Sequence, residues 1–431
     1  MGLVSGWNQT HLPRFNKFMD IEDAEQILVT DQVRDFYDKH PYPPPVQDLS
    51  EYRRQWQDEK RRRADFYLFW PNEPYRQNLD ILVAGCGTSQ AAKYALRYPE
   101  ARVVGIDIGD TSLRETKKLK EKYDLGNLEL EKLTVERVDE LEERFDLVVC
   151  TGVLHHLPDP DAGLRALRGV LKSSGAIHLM VYATYGRTGI YMIQEYCRRL
   201  GIGTSDEEIT ELAEALMSLP LDHPLARLLG EAPDFRRKAA LADALLNPQD
   251  QSYTVPQLFD LFEGTGLSFG RWLRQAPYLP YCGDLVNSPH RSRLANLPIE
   301  EQYAAVELFR GTMLRHSAII YHADNPFLAQ PVQFDDEEWL SFIPHRLPKT
   351  TIVEERLPPG AVAVLINQSH TDTDIFLPIN EEEKQLVEAI DGQQSIAEIM
   401  AHVAPKEQDR VRTFFQKLWW YDQTSFEISR E

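Results

Sequence analysis

Ile81-Leu82-Val83-Ala84-Gly85-Cys86-Gly87-Thr88 carries an unbroken apolar run into a Gly-x-Gly turn, and Val103-Val104-Gly105-Ile106-Asp107 repeats the run and ends it on an acid. The first run reads as a strand covered on both faces, because it has no polar side to offer water. Glycines at the turn let the backbone come close to a nucleotide-like ligand, and an acid at the tip of the second strand accepts hydrogen bonds from ribose hydroxyls. Asp107 stands 20 residues beyond Gly87, which is the interval this logic requires.

Working outward, further short apolar runs alternate with helical stretches. They are Leu79 to Ala84, Arg102 to Ile106, Leu128 to Leu133, Phe145 to Cys150 and Ala176 to Tyr182. Such alternation predicts an α/β domain with a doubly wound, Rossmann-like sheet over about residues 76–325. Runs at Leu267 to Leu273 and Ser317 to His322, around a helix from Ile299 to Arg310, complete the sheet. Between about 184 and 250 leucines recur at helical spacing (Leu212, Leu216, Leu219; Leu225, Leu228, Leu229), which predicts a helical insertion that shapes a substrate pocket. Residues 1–75 read as an arm or lid, with an extended Pro41-Tyr42-Pro43-Pro44-Pro45 element. A separate α+β unit spans 335–431. It comprises a strand at Asp374 to Leu377, a helix at Glu381 to Ile390, a helix at Ser395 to Val403 capped by Ser395 and Glu398, a helix from Lys406 to Trp420 and a strand at Ser425 to Ile428. Helices and strands in that order suggest a small winged helix.

A dinucleotide fingerprint needs a third glycine for the pyrophosphate, and Gly85-Cys86-Gly87-Thr88-Ser89-Gln90 has none. A nicotinamide-dependent dehydrogenase is therefore the weaker enzyme reading. The segment resembles the first motif of class I S-adenosylmethionine-dependent methyltransferases. The resemblance continues at Phe145-Asp146-Leu147-Val148-Val149-Cys150-Thr151-Gly152-Val153-Leu154-His155-His156-Leu157-Pro158 and at Leu167-Arg168-Gly169-Val170-Leu171. With Gln32-Val33-Arg34, Tyr37-Asp38 and Pro41-Tyr42-Pro43, the chain is similar to the bacterial methyltransferases that in some proteins stand behind tetratricopeptide repeats. The resemblance covers about residues 30–190. Val83 and Thr134 replace acids usual in the family, and Ser89 replaces a glycine. A methyltransferase-fold binding or scaffold protein without turnover is the rival from another class.

The resemblance implies S-adenosyl-L-methionine as cofactor, held by Ala84, Gly85, Cys86, Gly87, Asp107, Ile108, Thr134, Val135, Cys150, Thr151 and Gly152. In-line methyl displacement asks mainly for positioning and exclusion of water, and for a general base when the acceptor carries a proton. His155, His156 and Tyr37 are the candidates for catalytic contact, Tyr37 and Tyr42 for a lid, and Arg34 for the methionine carboxylate or a surface ion pair. Tyr253, Thr254, Pro256, Trp272, Tyr278 and Tyr281 either border the acceptor pocket or pack in the core. The C-terminal stretch Ile390-Asp391-Gly392 with Ser395-Ile396-Ala397-Glu398 resembles PqqD-like domains that recognise leader peptides, which would make the acceptor a peptide or protein side chain. A small-metabolite acceptor, and a C-terminal unit that covers the pocket or builds a homodimer, stay open.

Composition bounds the partners. Across 431 residues, 47 Lys+Arg against 67 Asp+Glu give a net charge of −20, which disfavours nucleic acid and anionic lipid. Cys86, Cys150, Cys197 and Cys282 show no metal-ligand spacing, so no metal site is expected. No apolar run approaches the roughly 18 residues of a membrane span and no signal peptide is legible, which makes a reduced cytoplasmic location the expectation.

Overall fold

The computed structural model describes residues 21–231, 235, 237–325, 328, 331–401 and 408–428. The first part of the arm, the linker at Pro326 and the helix ends expected at Val403 and Lys406 lie outside the described residues. Seven strands form the main sheet in the order β3-β2-β1-β4-β5-β7-β6. They are β1 (Asp80–Ala84), β2 (Arg102–Asp107), β3 (Leu128–Lys132), β4 (Phe145–Thr151), β5 (Leu171–Tyr182), β6 (Leu267–Trp272) and β7 (Arg315–His322). Strands β1 to β5 are parallel, and β7 runs antiparallel between β5 and β6.

Alternation along the strands divides the core into two layers. Leu82, Ala84, Val104, Ile106, Val148 and Cys150 face one layer, and Ile81, Val83, Cys86, Val103, Leu147 and Val149 face the other. Strand β5 begins five residues earlier than its apolar run. Leu171 pairs with Phe145 and Ala176 with Leu147, so the polar residues between them bulge. Lys172 holds that bulge, donating to Asp80 (2.7 Å) and Asp146 (2.8 Å).

Helices α1 (Ile21–Lys39), α2 (Ser50–Trp56) and α3 (Glu59–Phe69) precede the sheet, and α4 (Gln90–Arg97), α5 (Asp110–Tyr123) and α6 (Pro160–Gly169) connect its strands. Between β5 and β6 come α7 (Thr188–Leu200), α8 (Asp206–Leu216), α9 (Pro224–Glu231), α10 (Lys238–Leu246) and α11 (Val255–Gly264). Helices α8 and α11 begin on capping boxes, Ser205 with Glu208 and Thr254 with Gln257. Ile190, Ile193, Leu212, Leu225, Leu241 and Leu245 form the insertion's own core. Phe36 of α1 packs on Ile209 and Ala242, so the arm's helix rests on the insertion. Helices α12 (Arg291–Ala295) and α13 (Ile299–Arg310) lead into β7.

The C-terminal residues form β8 (Ile343–Arg346), β9 (Thr350–Val353), β10 (Ala363–Asn367), β11 (Leu377–Ile379), α14 (Glu381–Ala389), α15 (Ile396–Met400), α16 (Gln408–Trp420) and β12 (Thr424–Glu427). Strands β11, β10 and β9 make one antiparallel sheet, and β12 pairs with β8. The capping box of Ser395 and Glu398 is present. Three strands precede the one expected at Asp374 to Leu377, which itself lies slightly later. Those strands are four or five residues long, and β8 and β9 mix polar with apolar residues, so they do not stand out from a linker. The unit shares one continuous core with the main sheet, Phe414, Phe415 and Phe426 joining the layer that holds Trp272 and Val306. A buried polar tie joins the two at Asp422, 0% exposed, which accepts from Arg271 Nη2 (3.1 Å) and from the Ala276 backbone (3.0 Å).

Candidate active site

The turn after β1 sits where the sheet's strand order reverses, the position at which doubly wound sheets open a crevice. Gly85 and Gly87 both have left-handed backbone, with φ of +67° and +54°. A Cβ on Gly85 would fall 2.2 Å from Val153 Cγ2, whereas a Cβ on Gly87 meets nothing within 4 Å. Gly85 is therefore glycine for packing, and Gly87 presents bare backbone to open space. Gly85→Ala is expected to destabilise the protein by about 1–2 kcal/mol from backbone handedness alone, with the Val153 clash added, and more than Gly87→Ala does. Urea unfolding of the two variants checks the order.

Asp107 clasps this turn. Its Oδ2 accepts from the Gly87 amide (2.8 Å) and its Oδ1 from the Gly109 amide (2.8 Å). Burial pushes its carboxyl up to about 6 against the pull of those two donors, with Asp38 adding to the rise. A carboxylate has roughly four lone-pair sites, so acceptor capacity remains for two ligand hydroxyls. Open glycine backbone beside a buried acid suits a ribose, and this is the structural fit for a nucleoside cofactor. Across the turn, Gln90 Nε2 donates to Thr151 Oγ1 (2.6 Å), fixing the start of α4 to the end of β4. Thr88 Oγ1 donates to the Pro43 carbonyl (2.9 Å), which brings the proline-rich element over the turn.

From here a cavity of about 980 Å³ runs along the sheet to the C-terminal unit. Gly85, Cys86, Gly87, Asp107, Ile108, Thr134, Val135, Thr151 and Gly152 line it, as do Tyr37, Tyr42 and His156. Ala84 and Cys150 do not, because strand alternation turns their side chains into the opposite core layer. His155 is 0% exposed behind the wall, with neither ring nitrogen hydrogen-bonded, and burial drives it well below the usual histidine range. Arg34 pairs with Asp31 (2.6 Å) and Asp35 (3.0 Å), so it is a surface ion pair rather than a cavity residue. Of the aromatic group expected near the acceptor, Tyr278 alone lines the cavity. Trp272 stacks on it from the core (4.1 Å between centroids), Tyr281 stacks on Trp420 (4.7 Å), and Tyr253 is buried. Thr254 caps α11 with Pro256 in its first turn.

The residues that sequence reasoning missed are Asp243, Tyr182, Arg187 and Asp250. Asp243, 3% exposed on α10, accepts from Tyr37 Oη (2.8 Å) and Tyr182 Oη (3.2 Å). Burial raises its carboxyl, while His156 and the two phenols oppose the rise. Burial also holds both phenols well above the ordinary tyrosine range, so they remain donors. His156 Nδ1 lies 2.6 Å from the Gln249 carbonyl, which can only accept, so in the neutral ring Nε2 keeps its lone pair. The signal for Asp243 was present as one acid inside Ala239-Ala240-Leu241-Ala242-Asp243-Ala244-Leu245-Leu246. His155, His156 and Asp250 bring donor atoms within 4.8 Å of one another, a spacing that could hold a metal ion. The Arg187 guanidinium, 3.7 Å from Asp250 and 3.5 Å over the Tyr182 ring, already supplies a cation there.

All four cysteines are free and buried. Among the described residues no helix is long and apolar enough to cross a membrane.

Comparison with known proteins agrees with this geometry. The family described as a methyltransferase domain matches residues 82–177. An uncharacterized protein of Synechococcus sp., syc1184_c, is 32% identical over 310 residues, 68% of this chain and 71% of that protein. The ubiquinone biosynthesis O-methyltransferase of Pseudomonas fluorescens is 30% identical over 134 residues, and the match spans 31% of this chain and about half (51%) of that enzyme. Among solved structures, PKMT2 from Rickettsia typhi in complex with AdoHcy shares the fold with a TM-score of 0.61 at 17% identity, covering 90% of this chain and 77% of that one. With a methyltransferase domain built on the Asp107 turn, the chain is an S-adenosylmethionine-dependent methyltransferase and belongs to the same family as the Synechococcus protein.

Proposed function

We propose that the acceptor is a nucleophilic side chain of a peptide or protein, methylated beside Asp243. The observation that carries this reading is a buried carboxylate holding two phenol hydroxyls in the same cavity as the Asp107 turn. S-adenosylmethionine supplies a methyl group on a cationic sulfur, which takes back the C–S electron pair as the acceptor's lone pair closes on carbon. Asp107 receives the ribose hydroxyls, Gly87 brings bare backbone to the ligand while Gly85 lets the turn pack on Val153, and Thr134 and Val135 flank the base. Thr151 and Gly152 border the methionine end. Asp243 holds the charge of an amine acceptor or takes the proton of a hydroxyl, with Tyr37, Tyr182 and His156 Nε2 orienting the attacking atom. Tyr37 and the Tyr42-Pro43 element close over the site and exclude water.

A peptide is favoured over a metabolite by the cavity's extent. It passes beyond the turn to Ser369, His370 and Asp372 of the C-terminal unit, and its volume of about 980 Å³ lies at the top of the usual small-ligand range of about 300–1,000 Å³. The resemblance of that unit to leader-peptide-binding domains points the same way.

The test uses methyl-labelled cofactor with fractionated cell extract. Label in precipitable protein is expected, and Asp243→Asn should lower its rate about 100-fold or more with affinity for S-adenosylhomocysteine retained. Label confined to small molecules would instead establish the metabolite reading.

A further inference from the structure

The cavity's second limb lies between the sheet face and the C-terminal unit, and there Arg97, Arg274, Arg315 and Lys349 face two acids, Asp65 and Asp372, although the protein as a whole is strongly acidic. Arg274 follows β6, Arg315 opens β7, Lys349 precedes β9 and Arg97 ends α4, and all four side chains line the cavity. Strand pairing places Arg274 and Arg315 together. Arg315 pairs with Tyr182, Leu273 N donates to the Ser317 carbonyl, and Ser317 Oγ meets His178 Nε2 at 2.9 Å on the adjacent strand. Arg97 has its carboxylate, Asp65, at 3.2 Å, and also two hydrogen bonds to Tyr52. The others do not. Among the described residues Arg274 donates Nη1 only to the Leu273 carbonyl, and its buried Nε has no partner. Among the described residues, no carboxylate lies within ion-pair distance of Arg274, Arg315 or Lys349. The acids nearest Arg274, Asp422 and Asp65, are engaged by Arg271 and Arg97.

A buried guanidinium nitrogen left without an acceptor is costly, by about 1–3 kcal/mol or more, and guanidinium forks match the geometry of carboxylate and phosphate. Burial and the three arginines together hold His178 down at about 3, so its ring adds no charge to the limb near neutral pH.

We infer that Arg274 and Arg315, with Lys349 at the mouth, form a subsite for an oxyanion, a phosphate or carboxylate carried by the methyl acceptor. The inference rests on the methyl-transfer reading above and adds that the acceptor is anionic at a distance from the methylated atom. It gives the C-terminal unit a share in acceptor choice, because Lys349 and the Asn367 to Asp372 loop form the far wall.

The experiment uses the full chain saturated with S-adenosylhomocysteine, titrated at constant ionic strength with inorganic phosphate and, separately, with succinate, and followed by thermal unfolding. A saturable rise in Tm is expected for the intact protein. Arg315→Gln, on the cavity rim, should weaken the anion about tenfold, and Arg274→Gln with Arg315→Gln should abolish the response while cofactor affinity stays unchanged. A stronger response to phosphate assigns a phosphoryl group, and a stronger response to succinate a carboxylate. Equal responses in the intact protein and in Arg315→Gln would overturn the inference, as would no response to either anion. An anion effect seen only without S-adenosylhomocysteine would also overturn it, because the arginines would then serve the cofactor's own carboxylate. Failure of S-adenosylhomocysteine to bind while the anion response persists would sink the methyl-transfer reading alone.

Discussion

Asp107→Asn is expected to weaken S-adenosylhomocysteine binding about ten- to a hundredfold, the loss of charge-assisted hydrogen bonds worth about 1.5–3 kcal/mol. The amide also misfits the turn. Asp107 receives a backbone donor on each oxygen, from Gly87 and from Gly109, and an asparagine NH2 must face one of them donor to donor. A pH signature separates this from general damage. The carboxyl sits at about 6 in the folded protein, and ribose hydroxyls donate to its ionised form, so affinity should climb as pH rises through about 6 and then level. Stability carries the opposite sign. Between the unfolded value of about 3.9 and 6 the native state binds more protons than the unfolded one, so this group's contribution falls as pH rises. Asp107→Asn should flatten both profiles, and calorimetric titration with urea unfolding from about pH 5 to about pH 7.5 reads them. An unchanged affinity would remove Asp107 from the cofactor site.

Asp422→Ala is expected to cost about 3–5 kcal/mol of stability, the range for a buried charge stripped of its partner. Arg271 would be left with Nη2 unpaired, beside an Nη1 that already has no acceptor, and the Ala276 amide would lose its partner as well. Burial already lowers the Arg271 guanidinium to about 10, and Asp422 is the chief group opposing that fall. Arg271 also lies 3.9 Å over the Trp419 ring, so the loss spreads into α16. Asp422→Asn, which keeps the shape and one acceptor oxygen, should cost less. Equal urea midpoints for Asp422→Ala and the unaltered protein would show that the tie is not structural.

The main sheet was legible because its central strands β1, β2 and β4 are apolar on both faces, and a glycine turn followed 20 residues later by an acid is a local signal. Strand β5 was read short because Lys172, Ser173 and Ser174 look like a loop until Asp80 and Asp146, far off in sequence, are seen to hold Lys172. The cofactor turn was legible for the same local reason. The cluster around Asp243 was not, since Tyr37 on α1, Tyr182 on β5 and Asp243 on α10 meet only in the folded chain. Strand alternation also decided what motif spacing could not. Ala84 and Cys150 belong to the motif yet point away from the cavity. Arg274 and Arg315 lie in no motif, and no local pattern marked them.

The position of β7 sets the order in which this enzyme comes into being. During synthesis β5 emerges first, then the helical insertion, then β6, and among the described residues β6 has no neighbour in the sheet except β7. Until residue 322 has left the ribosome, β5 keeps an unpaired edge and β6 an entire unpaired strand, the state in which nascent chains aggregate. The intervening helices α7 to α10 have a core of their own and can form while the edge waits. A chain stalled before β7 should therefore be the species that chaperones retain, with five parallel strands and a folded insertion already in place.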